Sequence, residues 1–495
     1  MKIRSSLSFV CVGAIAVAFF PAALSRPILA EETTGLQAVA AIEDALTSAI
    51  AQGEKSVVAI ARVKRSDHDL NLRLDLRPDS FGRLRPNNLP QPGEHDFIPN
   101  EYATGVVVDA SGLILTAHHV LREDSDYFVT TADRKFYRTR FRGADPRSDL
   151  AVLELLNVSK PMVPITLGDA GKLKKGQIVI ALGNPYAIAR DGQASASWGI
   201  VANLARKDGP TLDAVSKPSF HQYGTMIQTD AKLNLGTSGG ALVNLKGEMV
   251  GLTVSLAASL GYEQAAGFAL PVDDTFRRAL EALKQGREVE YGLLGVELTP
   301  LTPNERAGGK FGARVNRLEV GTPAQRVGLM PNDVITHVDG QPIYDPDQLM
   351  LSIGKLPAGA QVRLTLDRGD GRIQPAVVEL AKYWVPGKKI VTNRPPAWRG
   401  IRVDYVTASR EFMRWAEQGQ IDPQGSVLIA DVEENSPAWN EGLRPDMMIS
   451  FVGNNRVADP TQFQSAVSGK TGPVQLRLNL PPNERRVRTI MPEEG

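Results

Sequence analysis

The pattern of apolar and polar residues changes character several times along the chain. Near the N-terminus, apolar residues recur at helical spacing and predict an amphipathic helix over residues 36–51. From residue 56 to 63 the pattern becomes strand-like, and a helix is predicted from Val272 to about Gln285. Short apolar runs separated by turns predict strands at 105–108, 113–115, 127–130, 150–155, 178–182, 249–254 and 267–270. Many short strands with little helix are typical of an all-β barrel or sandwich.

Residues 64–101 follow no period and contain Pro78, Pro86, Pro90, Pro92 and Pro99. A loop this long inside a compact domain is usually functional or disordered. The sequence leaves both interpretations open.

An internal repeat occupies the C-terminal part of the chain. Thr322-Pro323-Ala324 recurs 114 residues later as Ser436-Pro437-Ala438, and matching Gly-Leu, Pro, Ile and Val positions follow each copy. The repeat predicts two units, at residues 288–384 and 396–490, separated by a stretch that contains Pro395 and Pro396.

Composition narrows the class of protein. A chain of 495 residues predicts about three domains. Its 56 basic and 55 acidic residues nearly cancel, so charge gives no argument for binding nucleic acid or an anionic membrane surface. Lys2 and Arg4 precede an apolar run that ends at Phe20, which predicts an export signal at residues 1–30, followed by a helical segment at 31–55. The alternative is an uncleaved membrane anchor. The only cysteine, Cys11, lies in this leader, so the mature chain is expected to have no disulfide. No second apolar span follows the export signal, so the mature protein is expected to be periplasmic.

Three segments carry candidate chemistry. Ser238 lies among Gly236, Gly239 and Gly240, and glycines allow the backbone amides to approach a ligand beside the hydroxyl. An ordinary glycine-rich turn is the alternative. Ser238 also fits the Gly-x-Ser-x-Gly elbow of α/β-hydrolases, but that fold requires a catalytic histidine after the serine. The only later histidine is His337, far downstream in the first repeat unit, so the elbow interpretation fails.

A base and a group to orient it lie upstream. His119 ends one apolar run, and Asp149 precedes another. A zinc site at His118 and His119 is disfavoured, because neighbours in an extended chain point to opposite faces and no further ligand set is present. We therefore predict no metal and no cofactor.

These segments resemble the HtrA (Deg) family of trypsin-like serine proteases. The matching blocks are 116–120, 148–153, 182–185, 227–231, 236–242 and 267–271. The resemblance implies a mainly β chain: a chymotrypsin-like double antiparallel β-barrel over residues 56–280, with a regulatory loop at 64–101, followed by two PDZ (α+β) domains. It also implies an exported, ATP-independent serine endopeptidase that degrades unfolded envelope proteins and assembles as a trimer or a multiple of one.

The resemblance also implies roles for residues. His119, Asp149 and Ser238 are the expected catalytic residues, and the amides of Gly236, Thr237 and Ser238 form the oxyanion hole. With a zinc site disfavoured, His118 is expected to be structural. Leu235 and Thr237 stand where the family commonly has Pro and Asn. The residues expected to line a shallow pocket for small aliphatic side chains, unless they are simply core, are Leu233, Leu256 and Ala257.

PDZ domains bind C-terminal peptides by strand addition. The expected binding loop of the first unit comprises Leu293, Leu294, Gly295 and Val296. That of the second, a weaker match after Trp398, comprises Arg399, Gly400 and Ile401. Either unit could instead serve packing or assembly. The alternative function is an inactive protease-like scaffold or holdase, in which Leu235 and Thr237 leave the oxyanion loop collapsed.

Overall fold

The computed structural model describes residues 35–65, 76–78, 84–86, 101–184, 192–206, 225–254, 267–369, 373–479 and 486–493. The leader predicted at 1–30 and most of the stretch at 64–101 lie outside the described residues. Within the described part, the first element is helix α1 (Gly35–Gly53), which is slightly longer at both ends than the predicted helix. No helix in the described part is long and apolar enough to cross a membrane.

Six antiparallel strands close into a first barrel in the order β7-β6-β1-β4-β5-β8, because β8 pairs back onto β7. The strands of this region, in chain order, are β1 (Val57–Lys64), β2 (Leu76–Pro78), β3 (Leu84–Pro86), β4 (Glu101–Asp109), β5 (Leu113–Ala117), β6 (Ser125–Thr130), β7 (Phe136–Asp145) and β8 (Leu150–Leu155). Among the described residues, strands β2 and β3 pair only with each other. They lie in the stretch where the sequence predicts no period.

A second closed barrel follows, in the order β10-β11-β14-β13-β12-β9. Its strands are β9 (Ile178–Gly183), β10 (Ser195–Arg206), β11 (Met226–Thr229), β12 (Ala241–Val243), β13 (Met249–Val254) and β14 (Gly267–Pro271). The long strand β10 was not predicted. Its Ser, Ala and Asn residues have little intrinsic preference for strands, but six consecutive residues pair with β9.

Helix α2 (Asp274–Lys284) leads out of the second barrel and packs back on β7 and β8 of the first. It begins where the Asp273 carboxylate accepts a hydrogen bond from the Phe276 N–H, a standard N-cap. Phe276, Leu280 and Leu283 are buried on the face that joins the barrel core. The helix therefore fixes where the repeats begin relative to the barrels.

The two C-terminal units share one topology. The first contains β15 (Gly292–Leu293), β16 (Val296–Pro300), α3 (Pro303–Ala307), β17 (Ala313–Leu318), α4 (Pro323–Arg326), β18 (Val334–Val338), β19 (Gln341–Pro342), α5 (Pro346–Gly354), β20 (Gln361–Asp367), β21 (Ile373–Glu379) and β22 (Ala381–Lys382). After β23 (Ile390–Val391), the second contains β24 (Ile401–Tyr405), α6 (Phe412–Glu417), β25 (Val427–Val432), α7 (Pro437–Asn440), β26 (Met448–Val452), β27 (Asn455–Arg456), α8 (Pro460–Val467), β28 (Val474–Leu478) and β29 (Val487–Ile490). The sheet order β16-β17-β18-β20-β21 of the first unit recurs as β24-β25-β26-β28-β29 in the second. Each sheet has its own buried core. The predicted fold class, two barrels followed by PDZ-type units, is confirmed.

The segment between the two repeat units returns to the first barrel. Strand β23 pairs antiparallel with β7, placing Ile390 opposite Ala144 and Val391 opposite Gly143. The next residue, Thr392, donates from its hydroxyl to the Arg142 carbonyl at 2.6 Å. The inter-repeat segment is thus part of the barrel sheet.

A buried cation joins the two repeat units. The Lys382 ammonium lies 2.8 Å from a Glu288 oxygen, 3.5 Å from Glu290 and 2.7 Å from Asp404, and its side chain is only 3% exposed. Burial disfavours the charged lysine, but the three carboxylates outweigh it and raise the pKa of Lys382 above its ordinary value. Since Asp404 belongs to β24, this cluster ties the second unit to the first.

Candidate active site

His119 lies directly beyond β5, in a short 3₁₀ turn formed by residues 118–120. Every residue of β5 is buried, so the strand is held firmly in the barrel and fixes the position of the turn that follows it. The His118 N–H donates to the Asp149 carbonyl at 2.9 Å. The His118 ring faces the Lys388 carbonyl, with Nε2 3.3 Å from that oxygen. The histidine assigned a structural role thus contacts the inter-repeat segment.

Asp149 binds His119 through both carboxylate oxygens. One accepts from the His119 backbone N–H at 2.8 Å, and the other lies 2.7 Å from the ring Nδ1. Asp149 is 1% exposed and has a left-handed backbone with φ of 55°. Such a conformation in a non-glycine residue costs about 1–3 kcal/mol and persists only where surrounding contacts impose it. Those contacts include the carboxylate bonds that hold the imidazole.

The electrostatic surroundings keep His119 basic. Burial by itself disfavours the imidazolium, but the hydrogen bond and negative charge of Asp149 outweigh it, so the pKa of His119 is raised above 6.5. Since Nδ1 faces the carboxylate, it holds the proton in the neutral ring. Nε2 is then the atom left to accept a proton from a nucleophile.

The loop that carries Asp149 is braced from the first repeat unit. The Asp145 carboxylate accepts hydrogen bonds from the Ser148 N–H at 2.8 Å and from the Ser148 hydroxyl at 2.7 Å. The same oxygen accepts from the hydroxyl of Tyr291, the residue before β15. Tyr291 is almost fully buried, and burial followed by the charge of Asp145 raises its pKa, which keeps the phenol protonated as a donor. The residues before Asp149 therefore depend on a side chain outside the barrels.

Ser238 is 9% exposed, in a loop that only glycine permits at two positions. Gly236 and Gly239 have φ of 94° and 85°. A Cβ on Gly239 would lie 2.2 Å from the Thr104 carbonyl oxygen and 2.3 Å from the Thr116 hydroxyl. The glycine is needed because the loop presses against the first barrel.

Thr104 of β4 joins this loop to the first barrel, and the sequence offered no signal for it. Its N–H donates to the Ser238 carbonyl at 3.0 Å, and its hydroxyl donates to the Gly236 carbonyl at 2.7 Å while accepting from the Asn184 N–H at 2.8 Å. The Thr104 carbonyl in turn accepts from the Thr116 hydroxyl at 2.8 Å. Thr116 is three residues before His119, so Thr104 links the serine loop to the strand that carries the histidine.

The predicted oxyanion donors differ in how the loop uses them. The Thr237 N–H, predicted as one of three donors, donates to the Asn234 carbonyl at 3.1 Å, and the Thr237 hydroxyl donates to the same oxygen at 2.7 Å. The Thr237 carbonyl accepts from the Thr253 hydroxyl at 2.6 Å. Thr237 thus holds the loop together. The amides of Gly236 and Ser238 remain the predicted oxyanion donors.

Of the three predicted pocket residues, only Leu233 lies in the described part; Leu256 and Ala257 are outside it. Leu233 is half-buried, and a Cβ placed on Gly267 would lie 2.7 Å from its Cδ1. Leu233, Asn234 and Thr237 line a cavity of about 240 Å³ together with residues of β9 and β10. In the described part no cluster of His, Cys, Asp and Glu could hold a metal ion.

The two repeat units place their predicted binding loops alike. The Leu294 carbonyl accepts from the Ala324 N–H at 3.0 Å, and the Arg399 carbonyl accepts from the Ala438 N–H at 3.3 Å. These matching bonds make Leu294, Gly295 and Val296 equivalent to Arg399, Gly400 and Ile401. In the first unit, the loop opens into a groove between β16 and α5, lined by Leu298, Leu349, Met350 and Ile353.

In the second unit the loop is closed on itself. Trp398 and Ile401 exchange two backbone hydrogen bonds of 2.9 Å around Arg399 and Gly400, whose φ values are 48° and 86°. The buried Arg399 guanidinium donates to three backbone carbonyls. The Trp398 ring packs edge-on against Phe463 of α8 at 5.9 Å between centroids. The amide of Ile401 and the space beside α8 are therefore already occupied.

Comparison with known proteins agrees with this architecture. The profile of the trypsin-like peptidase domain matches residues 103–252, and that of the PDZ domain matches residues 292–380. The chain is 28% identical over 407 residues to the periplasmic pH-dependent serine endoprotease DegQ of Escherichia coli K12, covering 81% of this chain and 82% of DegQ. It is 29% identical over 392 residues to the periplasmic serine endoprotease DegP of Salmonella typhimurium LT2, covering 78% of this chain and 76% of DegP. Among solved structures, it is similar to the HtrA-type protease AlgW with tripeptide, with a TM-score of 0.51, 25% identity and coverage of 69% of this chain and 98% of AlgW.

Proposed function

Because the chain belongs to the HtrA (Deg) family of trypsin-like serine proteases, we propose that it is a periplasmic serine endopeptidase that uses Ser238 as nucleophile, His119 as general base and Asp149 to orient the imidazole. The observation that carries this assignment is the two-point contact of Asp149 with His119, at 2.7 and 2.8 Å. A carboxylate bound to both the ring and the backbone of a histidine fixes its tautomer and orientation.

The reaction then follows the serine protease scheme. The Ser238 Oγ attacks a peptide carbonyl carbon while His119 Nε2 takes its proton, and Asp149 stabilises the imidazolium. The amides of Gly236 and Ser238 donate to the oxyanion, each contributing about 3 kcal/mol to transition-state stability. The intermediate expels the amine, which receives the proton from His119. Water then attacks the acyl-enzyme with His119 again as base, releasing the acid and restoring Ser238.

The substrates we propose are unfolded envelope proteins, cut after small aliphatic residues that fit beside Leu233. The first repeat unit would hold hydrophobic C-terminal peptides in the groove between β16 and α5, while the second, with its closed loop, would serve packing. A homo-oligomer built of trimers completes the proposal, and light scattering on the purified mature chain tests it. Whether the leader stays on the protein as an uncleaved membrane anchor is tested by fractionating cells and locating the protein in the membrane or in the periplasm.

A fluorophosphonate probe tests the catalytic assignment. The wild-type protein is expected to be labelled at Ser238, and Ser238→Ala to remain unlabelled. His119→Ala should also lose labelling, because the hydroxyl then lacks its base. Cleavage of an unfolded protein such as casein is followed in parallel. No labelling of the wild type, with or without added C-terminal peptide, would contradict the assignment and favour the inactive scaffold.

A further inference from the structure

The groove of the first repeat unit includes a residue that does not belong to that unit. Its apolar walls come from β16 and α5, and the backbone of residues 293–296 forms one end. Arg147, from the catalytic-aspartate loop of the first barrel, lines the same groove. A positive charge therefore meets the apolar groove at its junction with the barrel.

Two aromatic rings hold this arginine in place. The guanidinium carbon of Arg147 lies 4.2 Å from the ring centroid of Tyr291 and 4.5 Å from that of Tyr383. Both distances are within the range of a cation–π contact. Tyr291 directly precedes the segment 292–296, and Tyr383 lines the groove. The Tyr383 N–H donates to the Tyr291 carbonyl at 2.7 Å. Since two rings confine the guanidinium, little side-chain entropy is left to lose when a ligand binds it.

We propose that Arg147 binds the C-terminal carboxylate of peptides in this groove, together with the backbone amides of Leu294 and Gly295. This inference rests on the proposed binding of C-terminal peptides by the first unit. A guanidinium is always charged and forms strong, directional hydrogen bonds to a carboxylate. The apolar groove accepts the terminal side chains and the guanidinium the terminal charge, so the ligand is a hydrophobic peptide with a free carboxylate.

The same residue connects the groove to the catalytic loop. Arg147 lies two residues before Asp149, and Tyr291, on which it stacks, also bonds to Asp145. A peptide bound to Arg147 is therefore in direct contact with the loop between β7 and β8 that holds Asp149. The barrel thus completes the binding site of the first unit.

The test compares two versions of one fluorescein-labelled hydrophobic peptide, one with a free C-terminal carboxylate and one with a C-terminal amide. Binding is measured by fluorescence anisotropy to the full chain carrying Ser238→Ala, so that the peptide is not cut. We expect Arg147→Gln to weaken binding of the free acid about 10-fold, the size of one charge-assisted hydrogen bond, and to leave the amide nearly unchanged.

Arg278→Gln is the matched control. Its guanidinium also lies near the Tyr291 ring, at 5.6 Å, but donates to the carbonyls of Glu290 and Lys355. This variant should keep the wild-type preference for acid over amide. If the Ser238→Ala protein prefers the free acid over the amide to the same degree with and without Arg147→Gln, the role of Arg147 is overturned while peptide binding by the first unit stands. If the background itself binds neither peptide, peptide binding by the first unit and the role of Arg147 both fail.

Discussion

Replacing Thr104 by valine tests whether the first barrel holds the serine loop in its working conformation. Valine has nearly the same shape as threonine, so the substitution at this fully buried position leaves no cavity. It removes the hydroxyl that donates to the Gly236 carbonyl and accepts from the Asn184 N–H. Both backbone groups then lose a partner inside the protein.

The expected cost follows from those two bonds. A buried polar group left without a partner costs about 1–3 kcal/mol, so two such groups cost about 2–6 kcal/mol. Part of this cost is avoided if the loop moves away from Thr104, which would displace Gly236, a proposed oxyanion donor. We therefore expect kcat/KM to fall about 10- to 100-fold, at about 1.4 kcal/mol per tenfold.

The assay is cleavage of a fluorogenic peptide, with the melting temperature measured alongside. Thr104→Ser keeps the hydroxyl and should retain most of the activity. Thr116→Val is the second control: it removes the bond to the Thr104 carbonyl and leaves both hydrogen bonds of the Thr104 hydroxyl in place. If Thr104→Val cleaves as fast as Thr116→Val, the hydroxyl of residue 104 does not position the loop, and its two hydrogen bonds are irrelevant to catalysis.

Four further outcomes are expected: two for the catalytic residues His119 and Asp149, one for the buried Lys382 and one for Gly239 beside Ser238. Because the pKa of His119 is raised above 6.5 and only the neutral ring accepts a proton, the acidic limb of the kcat/KM profile should lie above pH 6.5. The stability that the His119–Asp149 contact contributes has the opposite pH dependence: it is fully present below pH 6.5 and is lost as pH rises through the raised pKa. Asp149→Asn should lower kcat about 10⁴-fold, and NMR titration should show the pKa of His119 falling, since burial then acts without the opposing charge; an unchanged pKa would mean that Asp149 is not what raises it. Lys382→Met should cost about 2–4 kcal/mol in urea unfolding, less than for fully buried ion pairs because its carboxylate partners are partly exposed. Gly239→Ala should abolish labelling by the fluorophosphonate probe, because a Cβ there clashes with backbone atoms.

The sequence predicts best what depends on neighbouring residues. Strand β5 ends just before the turn that holds His119, strand β8 begins after Asp149, and glycines surround Ser238, so short motifs are enough to propose each role. The repeat is equally clear, because two sets of anchors share a fixed spacing. Strand β10 was missed for the opposite reason: its residues have weak preferences of their own, and pairing with β9 decides its structure.

Contacts between distant segments could not be predicted. The hydroxyl of Thr104 bonds to a residue 132 positions away, and an isolated threonine in a strand gives no sign of this. Tyr291 and Asp145 are 146 positions apart, and nothing in either neighbourhood marks the pair. The left-handed backbone of Asp149 is likewise imposed by its surroundings, because aspartate adopts it more readily than most residues but still uncommonly. The closed loop at Arg399 depends on the two backbone bonds between Trp398 and Ile401, which no short motif in this stretch specifies.

The strand between the repeats has a practical consequence for dividing this protein into pieces. Residues 143–144 pair with β8 on one side and with Ile390–Val391 on the other. A chain cut after the first repeat, at residue 384, would leave that outer side without a neighbour, and bare sheet edges invite association between molecules. We expect such a fragment to aggregate, and one ending at residue 393 to remain dispersed. The natural place to separate the second repeat is therefore after the segment that, along the sequence, resembles a simple linker.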